Sequence, residues 1–226
     1  MHLLLLHGAI GAADQLQPLA AGLQKDYTVH TLDFPGHGSR PFPDSPWSMA
    51  RFSEDVLTYM DDRGIDQAAI FGYSMGGYVG MYLAAHHKER ITKLVTLAAK
   101  FHWDPITAQK EIKNIDPEKI QEKVPAFAKA LQQRHQPKDW KEVLTRTATL
   151  LVDLGNQPPL TSETFAAITT PSLVLLGDRD KMVTLEETLT VFKALTNAQL
   201  GILPGTPHPI EQVNTDLLAC HLRHFL

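Results

Sequence analysis

The chain has 226 residues, of which 43% are hydrophobic and 20% are charged, with a formal net charge of −4. This length and composition predict one globular domain of moderate size. The small negative charge, without any Lys/Arg block, argues against nucleic acid or an anionic membrane as a partner, and the single cysteine, Cys220, excludes an internal disulfide and a cysteine-rich metal site.

The chain begins with MHLLLLHGAIG, in which an apolar run, Leu3–Leu6, ends at His7-Gly8. No basic segment precedes the run, and it is too short for the core of a signal peptide or for a membrane span. We therefore interpret it as a buried strand. Because no long apolar run follows, we expect a soluble protein of the cytoplasm, and we interpret Cys220 as a small buried side chain.

Short apolar runs alternate with helical patterns along most of the chain. The candidate strands are Leu3–Leu6, Thr28–Leu32, Ala68–Phe71, Leu94–Leu97, Leu173–Leu176 and Leu200–Leu203. The helical segments are about Asp14–Lys25, Ser48–Arg63, Ser74–His87, Thr184–Leu195 and Pro209–Phe225. The runs are continuously apolar, which predicts a parallel sheet covered by helices on both faces. In such sheets ligands bind beyond the carboxyl ends of the strands, so the turns after the strands are where functional residues are expected.

Residues 100–168 interrupt this alternation, because no candidate strand lies among them. Two apolar stripes at helical spacing occur there, namely Ile120, Val124, Phe127 and Leu131, then Trp140, Val143, Leu144, Leu151 and Leu154. We predict a helical insertion that leaves from the carboxyl end of a strand and covers the site as a lid. The alternative is a set of ordinary peripheral helices. Residues 1–99 and 169–226 then form the core domain.

The segment AAIFGYSMGGYVG places Ser74 between Gly72 and Gly76, after a candidate strand and at the start of a candidate helix. This context is typical of a nucleophile elbow, a tight turn in which the serine is strained and its neighbours must be small. The hydroxyl would lie at a helix N-terminus, where the Met75 amide stabilises negative charge. The alternative is a glycine-rich turn with a capping serine.

A serine nucleophile needs a base, and the base needs an orienting acid. His208 follows the last candidate strand, in ILPGTPHPIEQ, and Asp180 follows the preceding strand, in LVLLGDRDKMV. The order serine, acid, histidine is the order of one particular fold. Asp178, two residues earlier, is the alternative acid.

Four segments, taken in order, resemble the motifs of the α/β-hydrolase superfamily over nearly the whole chain. LLLLHGAIG is similar to the His-Gly oxyanion loop, LDFPGHGSR to the loop after the next strand, GYSMGG to the elbow, and LLGDRDKMV with LPGTPHPIEQ to the acid and histidine segments. The likeness is greatest to the branch with lids, which includes esterases, peroxidase-like enzymes and carbon–carbon bond hydrolases. It implies a mostly parallel sheet of about six strands flanked by helices, without the N-terminal hairpin that is usual in the family.

The resemblance also implies roles for individual residues. Ser74 is the nucleophile, His208 the general base and then the general acid, and Asp180 the residue that orients the imidazole. The backbone amides of Ala9 and Met75 form the oxyanion hole. No metal or organic cofactor is implied.

Three further side chains are candidates for substrate contact. Tyr73 precedes the nucleophile, while His102 and Trp103 lie where the insertion begins; packing is the alternative role for the last two. His7 is expected to bond nearby backbone. The resulting hypothesis is a carboxylesterase-type serine hydrolase acting on a small, largely apolar ester through an acyl-enzyme. The alternatives are cleavage of a carbon–carbon bond by the same residues, and ligand binding without turnover.

Overall fold

The computed structural model describes residues 1–226 and contains one six-stranded sheet in which every pairing is parallel. The strands are β1 His2–Leu6, β2 Thr28–Leu32, β3 Ala68–Tyr73, β4 Ile91–Leu97, β5 Ser172–Gly177 and β6 Ala198–Leu203. All six predicted strands are confirmed. In the central strands β1, β3, β4 and β5 the apolar runs are buried on both faces because alternate side chains enter different cores, whereas the edge strands β2 and β6 are only partly buried. In β1, Leu4 and Leu6 belong to one core, and Leu3 and Leu5 belong to the other.

The strand order is β2-β1-β3-β4-β5-β6, so the chain adds β2 on one side of β1 and the later strands on the other side. The direction in which strands are added therefore changes between β1 and β3. From β1 the chain moves outward in one direction to β2, and then returns to build β3–β6 on the other side. The loops that leave the carboxyl ends of β1 and β3 therefore diverge to opposite faces and leave a crevice between them. In open parallel sheets such a crevice is where ligands bind, and here it lies between the His7-Gly8-Ala9 loop and Ser74.

Helices cover both faces of the sheet. These are α1 Gln17–Leu23, α2 Met49–Asp61, α3 Met75–His86, α9 Leu185–Ala194 and α10 Thr215–Phe225. Helices α1 and α10 pack on one face, whereas α2, α3 and α9 pack on the other. None of the helices in the protein combines the length and apolar character that crossing a bilayer requires.

Two helices begin later than predicted. The segment near Asp14 starts as a short 3-10 turn, and α1 begins only at Gln17 with Pro18 in its first turn. In the last segment, the Asn214 side chain accepts a hydrogen bond from the Leu217 amide and caps α10, so the preceding residues are free to form the loop that carries His208. Cys220 on α10 is exposed, so the prediction that it is buried is wrong.

Five helices occupy the interval between β4 and β5. They are α4 Pro105–Ile112, α5 Pro117–Lys123, α6 Pro125–His135, α7 Trp140–Asn156 and α8 Ser162–Ala167. The stripe predicted from Trp140 to Leu154 is confirmed as the buried face of α7. The earlier stripe is wrong in part: Pro125 starts a new helix, and Val124 and Phe127 are 48% and 39% exposed.

Polar contacts tie these helices to the loops of the core. The His135 Nε2 atom of α6 lies 3.0 Å from the Ile10 carbonyl oxygen, in the loop after β1. The guanidinium of Arg134 contacts the carboxylate of Glu211, which follows His208 in the chain. The insertion is therefore attached on the side of the sheet that carries the crevice.

The turn between β3 and α3 permits an unusually close approach of strand and helix. A Cβ atom added at Gly72 would collide with the backbone of Gly76 and Gly77, and one added at Gly76 would collide with the carbonyl of Leu6 in β1. Backbone atoms cannot yield as a flexible side chain does. Small residues at these two positions are therefore a steric requirement for the turn.

We expect Gly72→Ala to lower the free energy of unfolding by about 1–3 kcal/mol, as overpacking against backbone does. The matched control is Gly22→Ala, because nothing lies within 4 Å of its added Cβ in α1. Alanine is the better helix former, so the control should gain up to about 1 kcal/mol. Urea unfolding measures both, and a Gly72→Ala variant as stable as the wild type would contradict the close approach.

Candidate active site

Ser74 lies at the junction of β3 and α3 with φ 52° and ψ −117°. A positive φ in a residue other than glycine costs of order 1–3 kcal/mol and persists only where the surroundings enforce it. Here the Ser74 amide donates to the Leu97 carbonyl at 2.9 Å, and the Ser74 carbonyl accepts from Gly77 in the first turn of α3. The strained turn predicted from the glycine spacing is therefore present.

His208 and Asp180 form a buried pair. The Nδ1 atom of His208 lies 2.8 Å from Oδ2 of Asp180, and the two side chains are 12% and 1% exposed. The other Asp180 oxygen accepts from the amides of Met182 and Val183 at 2.8 and 2.9 Å. Burial raises the pKa of the Asp180 carboxyl, but the hydrogen bonds from His208 and these amides outweigh it, and the net pKa lies below its usual value.

The alternative acid, Asp178, contacts Thr206 rather than His208. Its Oδ1 atom accepts a hydrogen bond from the Thr206 amide at 3.1 Å and so holds the loop between β6 and His208. Of the two aspartates after β5, Asp180 is the one that contacts the imidazole. With Asp180 bound at Nδ1, the Nε2 atom of His208 remains to exchange a proton.

The backbone amides of Ala9 and Met75 border the same crevice. Met75 is the first residue of α3, and first-turn amides have no acceptor within their own helix. The Ala9 amide donates to no backbone acceptor. In the preceding residue, a Cβ atom added at Gly8 would lie 3.2 Å from Cβ of Ser74, so the two loops are in contact.

A small cavity of about 80 Å³ lies at this crevice, and nine of its thirteen lining residues are hydrophobic. Ser74, His208, Ala9 and Met75 all line it. Catalytic hydrogen bonds are often long in unliganded enzymes. The evidence that the serine and the imidazole lie close together is therefore the cavity that both of them line. The remaining lining residues are Met49, Tyr78, Lys100, Trp103, Glu111, Leu151, Leu154, Met182 and Val183.

The three candidate contact residues occupy different positions. Trp103 lines the cavity, and its indole N–H donates to the Lys100 carbonyl at 3.0 Å. The Tyr73 hydroxyl donates to the His208 carbonyl at 3.0 Å, so this side chain supports the histidine loop. His102 lies outside the cavity, with its side chain 65% exposed and its ring 3.4 Å from Asp104.

Two charged side chains in the cavity wall were not foreseen. Lys100 follows β4, and Glu111 lies on α4. The Lys100 ammonium lies 3.6 Å from Oε1 of Glu111 and 3.4 Å from Oε2 of Glu187 on α9. The sequence carries no local signal for this cluster, because Glu187 lies 87 residues from Lys100 in the chain.

His7 lies beneath the oxyanion loop and is fully buried. Its Nε2 atom accepts a hydrogen bond from the Phe34 amide at 3.1 Å, and its Nδ1 atom lies 2.8 Å from the Gly8 carbonyl oxygen. The expected bonding to nearby backbone is therefore present. Burial, the largest influence, lowers the pKa of His7 to about 4.

Comparisons with known proteins agree with this architecture. A sequence model of the α/β hydrolase fold matches residues 1–148. The chain belongs to the α/β hydrolase family. Its fold resembles that of the enol-lactonase from Burkholderia xenovorans LB400, with a TM-score of 0.78 and 21% identity, covering 99% of this chain and 90% of that one.

Two curated relatives of this α/β hydrolase differ in how much they share with it. A Synechocystis protein named "Putative non-heme chloroperoxidase" is 27% identical over 242 residues, covering 90% of this chain and 83% of its own. The Escherichia coli esterase YbfF is 35% identical over 95 residues, which are 42% of this chain and 37% of that one. These likenesses support a hydrolase.

Burial of His7 predicts a stability that depends on pH. Between about pH 6.5, its usual pKa, and about pH 4 the unfolded chain binds more protons than the folded one. The stabilisation is complete above pH 6.5 and is lost as the pH falls towards 4, by about 3 kcal/mol for this residue. Urea unfolding across this range measures the slope.

His7→Gln should reduce that slope without removing it, because burial also lowers the pKa of His37 and of His135. His224→Gln, at an exposed position of α10, should leave the slope unchanged. A slope that His7→Gln does not alter would contradict the assignment.

Proposed function

We propose that the protein is a carboxylesterase-type serine hydrolase that acts on a small ester-like substrate. The observation that carries the proposal is the His208–Asp180 hydrogen bond of 2.8 Å on the same small cavity as the strained Ser74. A serine becomes nucleophilic when a base accepts its proton and an acid orients that base. The three residues follow the β3, β5 and β6 strands, at one edge of the sheet.

In the proposed reaction, Ser74 Oγ attacks the ester carbonyl while Nε2 of His208 accepts the hydroxyl proton. The carbonyl oxygen becomes an oxyanion, for which the amides of Ala9 and Met75 are the proposed donors. Collapse of this intermediate expels the alcohol, which receives the proton from His208, and leaves an acyl-enzyme. Water then attacks the acyl-enzyme with His208 again as base, and the acid and free Ser74 are released.

The Asp180 carboxylate remains ionised through this cycle. Its lowered pKa and its buried position beside Nδ1 stabilise the imidazolium that forms at each proton transfer. The same contact selects the tautomer in which Nε2 is free to accept a proton.

We further propose that residues 100–168 act as the lid and that residues 1–99 and 169–226 form the core domain. Trp103, Leu151 and Leu154 of this segment form part of the cavity wall, whereas Ser74 and His208 come from the core. An apolar wall of this kind favours a small, largely apolar substrate.

The two aspartates after β5 provide a matched test of the proposed acid. Asp180→Asn should lower kcat by about 10³–10⁴-fold, because an amide at this position favours the wrong tautomer of His208. Asp178→Asn should leave kcat nearly unchanged, since an amide oxygen still accepts from the Thr206 amide. Steady-state hydrolysis of a short p-nitrophenyl ester measures both. The reverse ranking would identify Asp178 as the acid.

A substrate panel tests the class of reaction. The proposal predicts that short esters or thioesters are hydrolysed by the wild type, and that Ser74→Ala reduces the rate to that of the blank. Good turnover of a β-diketone with poor turnover of esters would instead indicate carbon–carbon bond cleavage. Stoichiometric binding of the panel compounds without turnover would indicate a ligand receptor.

A further inference from the structure

The cavity beside Ser74 has a charged patch in an otherwise apolar wall. We call Lys100, Glu111 and Glu187 the Lys100 cluster; their side chains are 15%, 7% and 13% exposed. Lys100 and Glu111 face the cavity directly. Buried ion clusters are rarely more stable than apolar side chains of the same volume, so stability alone is a poor reason for this one.

The Lys100 ammonium already has an acceptor other than Glu111. It donates to Oε2 of Glu187 at 3.4 Å, and the same oxygen accepts from the amide of Thr184. Oε1 of Glu187 is buried without a partner. The cluster therefore holds two carboxylates for one ammonium, and it carries a formal surplus of one negative charge.

Glu111 is the carboxylate of the cluster that lines the cavity, and it accepts no hydrogen bond from the protein. Its side chain is more than nine-tenths buried, and its nearest cation, Lys100, is 3.6 Å away, which is beyond hydrogen-bond distance. A buried carboxylate without hydrogen bonds is costly. Because the carboxylate faces the cavity, a donor on a bound molecule would relieve that cost.

We propose that the Lys100 cluster is a specificity subsite, in which Glu111 binds a cationic hydrogen-bond donor, an ammonium group, on the substrate. The substrate class is then an ester with a short apolar stem that ends in an amine. A carboxylate is disfavoured, because it would be the third anion around one ammonium. The apolar residues that line the same cavity as Ser74 and Glu111, among them Tyr78 and Leu154, would accommodate the stem.

This inference rests on the proposed hydrolase activity, and the test separates the two. The probes are p-nitrophenyl esters of 6-aminohexanoate, hexanoate and adipate, which have a cationic, a neutral and an anionic end on similar stems. A second set carries the same three ends on the alcohol side of an acetate ester. We expect kcat/KM for the cationic end to exceed that for the neutral end by roughly 10–100-fold in one of the two sets, and the anionic end to be the poorest.

Glu111→Gln is the decisive variant, because it removes one charge with little change in shape. It should lower kcat/KM for the cationic ester to the value for the neutral ester measured with the same variant, so that the ratio of the two falls to about 1. Glu111→Asp, which keeps the charge, should retain part of the preference. Glu122→Gln, an exposed position on α5, is the matched control and should behave as the wild type.

The outcomes are distinct. Equal turnover of the three ends, a preference for the anionic ester, or a preference that survives Glu111→Gln would each overturn the subsite while leaving the hydrolase proposal intact. Absence of turnover for every probe, together with absence of labelling by a fluorophosphonate, would instead refute the hydrolase proposal itself.

Discussion

The close approach of β3 and α3 is the constraint on which the rest of the candidate site depends. Gly72 and Gly76 allow the backbone of the helix to lie against the backbone of β3 and β1, and no side chain fits between them. The turn between these glycines then has little conformational freedom, and Ser74 at its centre is held at a φ of 52°. The hydroxyl is positioned by the packing of the main chain rather than by its own side-chain contacts.

The topology of the sheet brings the other residues to this turn. Because the strand order reverses between β1 and β3, the loop after β1 lies beside Ser74, with the Ala9 amide unbonded to backbone. Strands β5 and β6 are neighbours, so the loops that follow them set Asp180 against His208. The insertion between β4 and β5 adds one wall of the cavity. The small, mostly apolar cavity then makes the few charges that face it more effective than they are in water.

Sequence alone predicted the strands and the strained serine because both depend on local rules. A run such as Leu3–Leu6 is apolar at every position because it is buried on both faces, and the spacing Gly72, Ser74, Gly76 reflects contacts within one turn. The resemblance favours Asp180 over Asp178 as the acid, and the contact of Asp180 with His208 supports that proposal.

The failures concern interactions that no local pattern encodes. The stripe through Val124 ignored Pro125, which starts a new helix and leaves Val124 exposed. No sequence pattern marks Glu111, and only the folded structure shows that it lines the cavity. Local sequence patterns are least able to predict which side chains from distant segments line the same cavity.

The most direct test of the central claim is the site of covalent modification. After reaction of the full chain with a fluorophosphonate, peptide mass spectrometry should find one adduct, on Ser74, and Asp180→Asn should slow its formation. An adduct on another residue, or labelling that persists at the same rate in Ser74→Ala, would contradict the account.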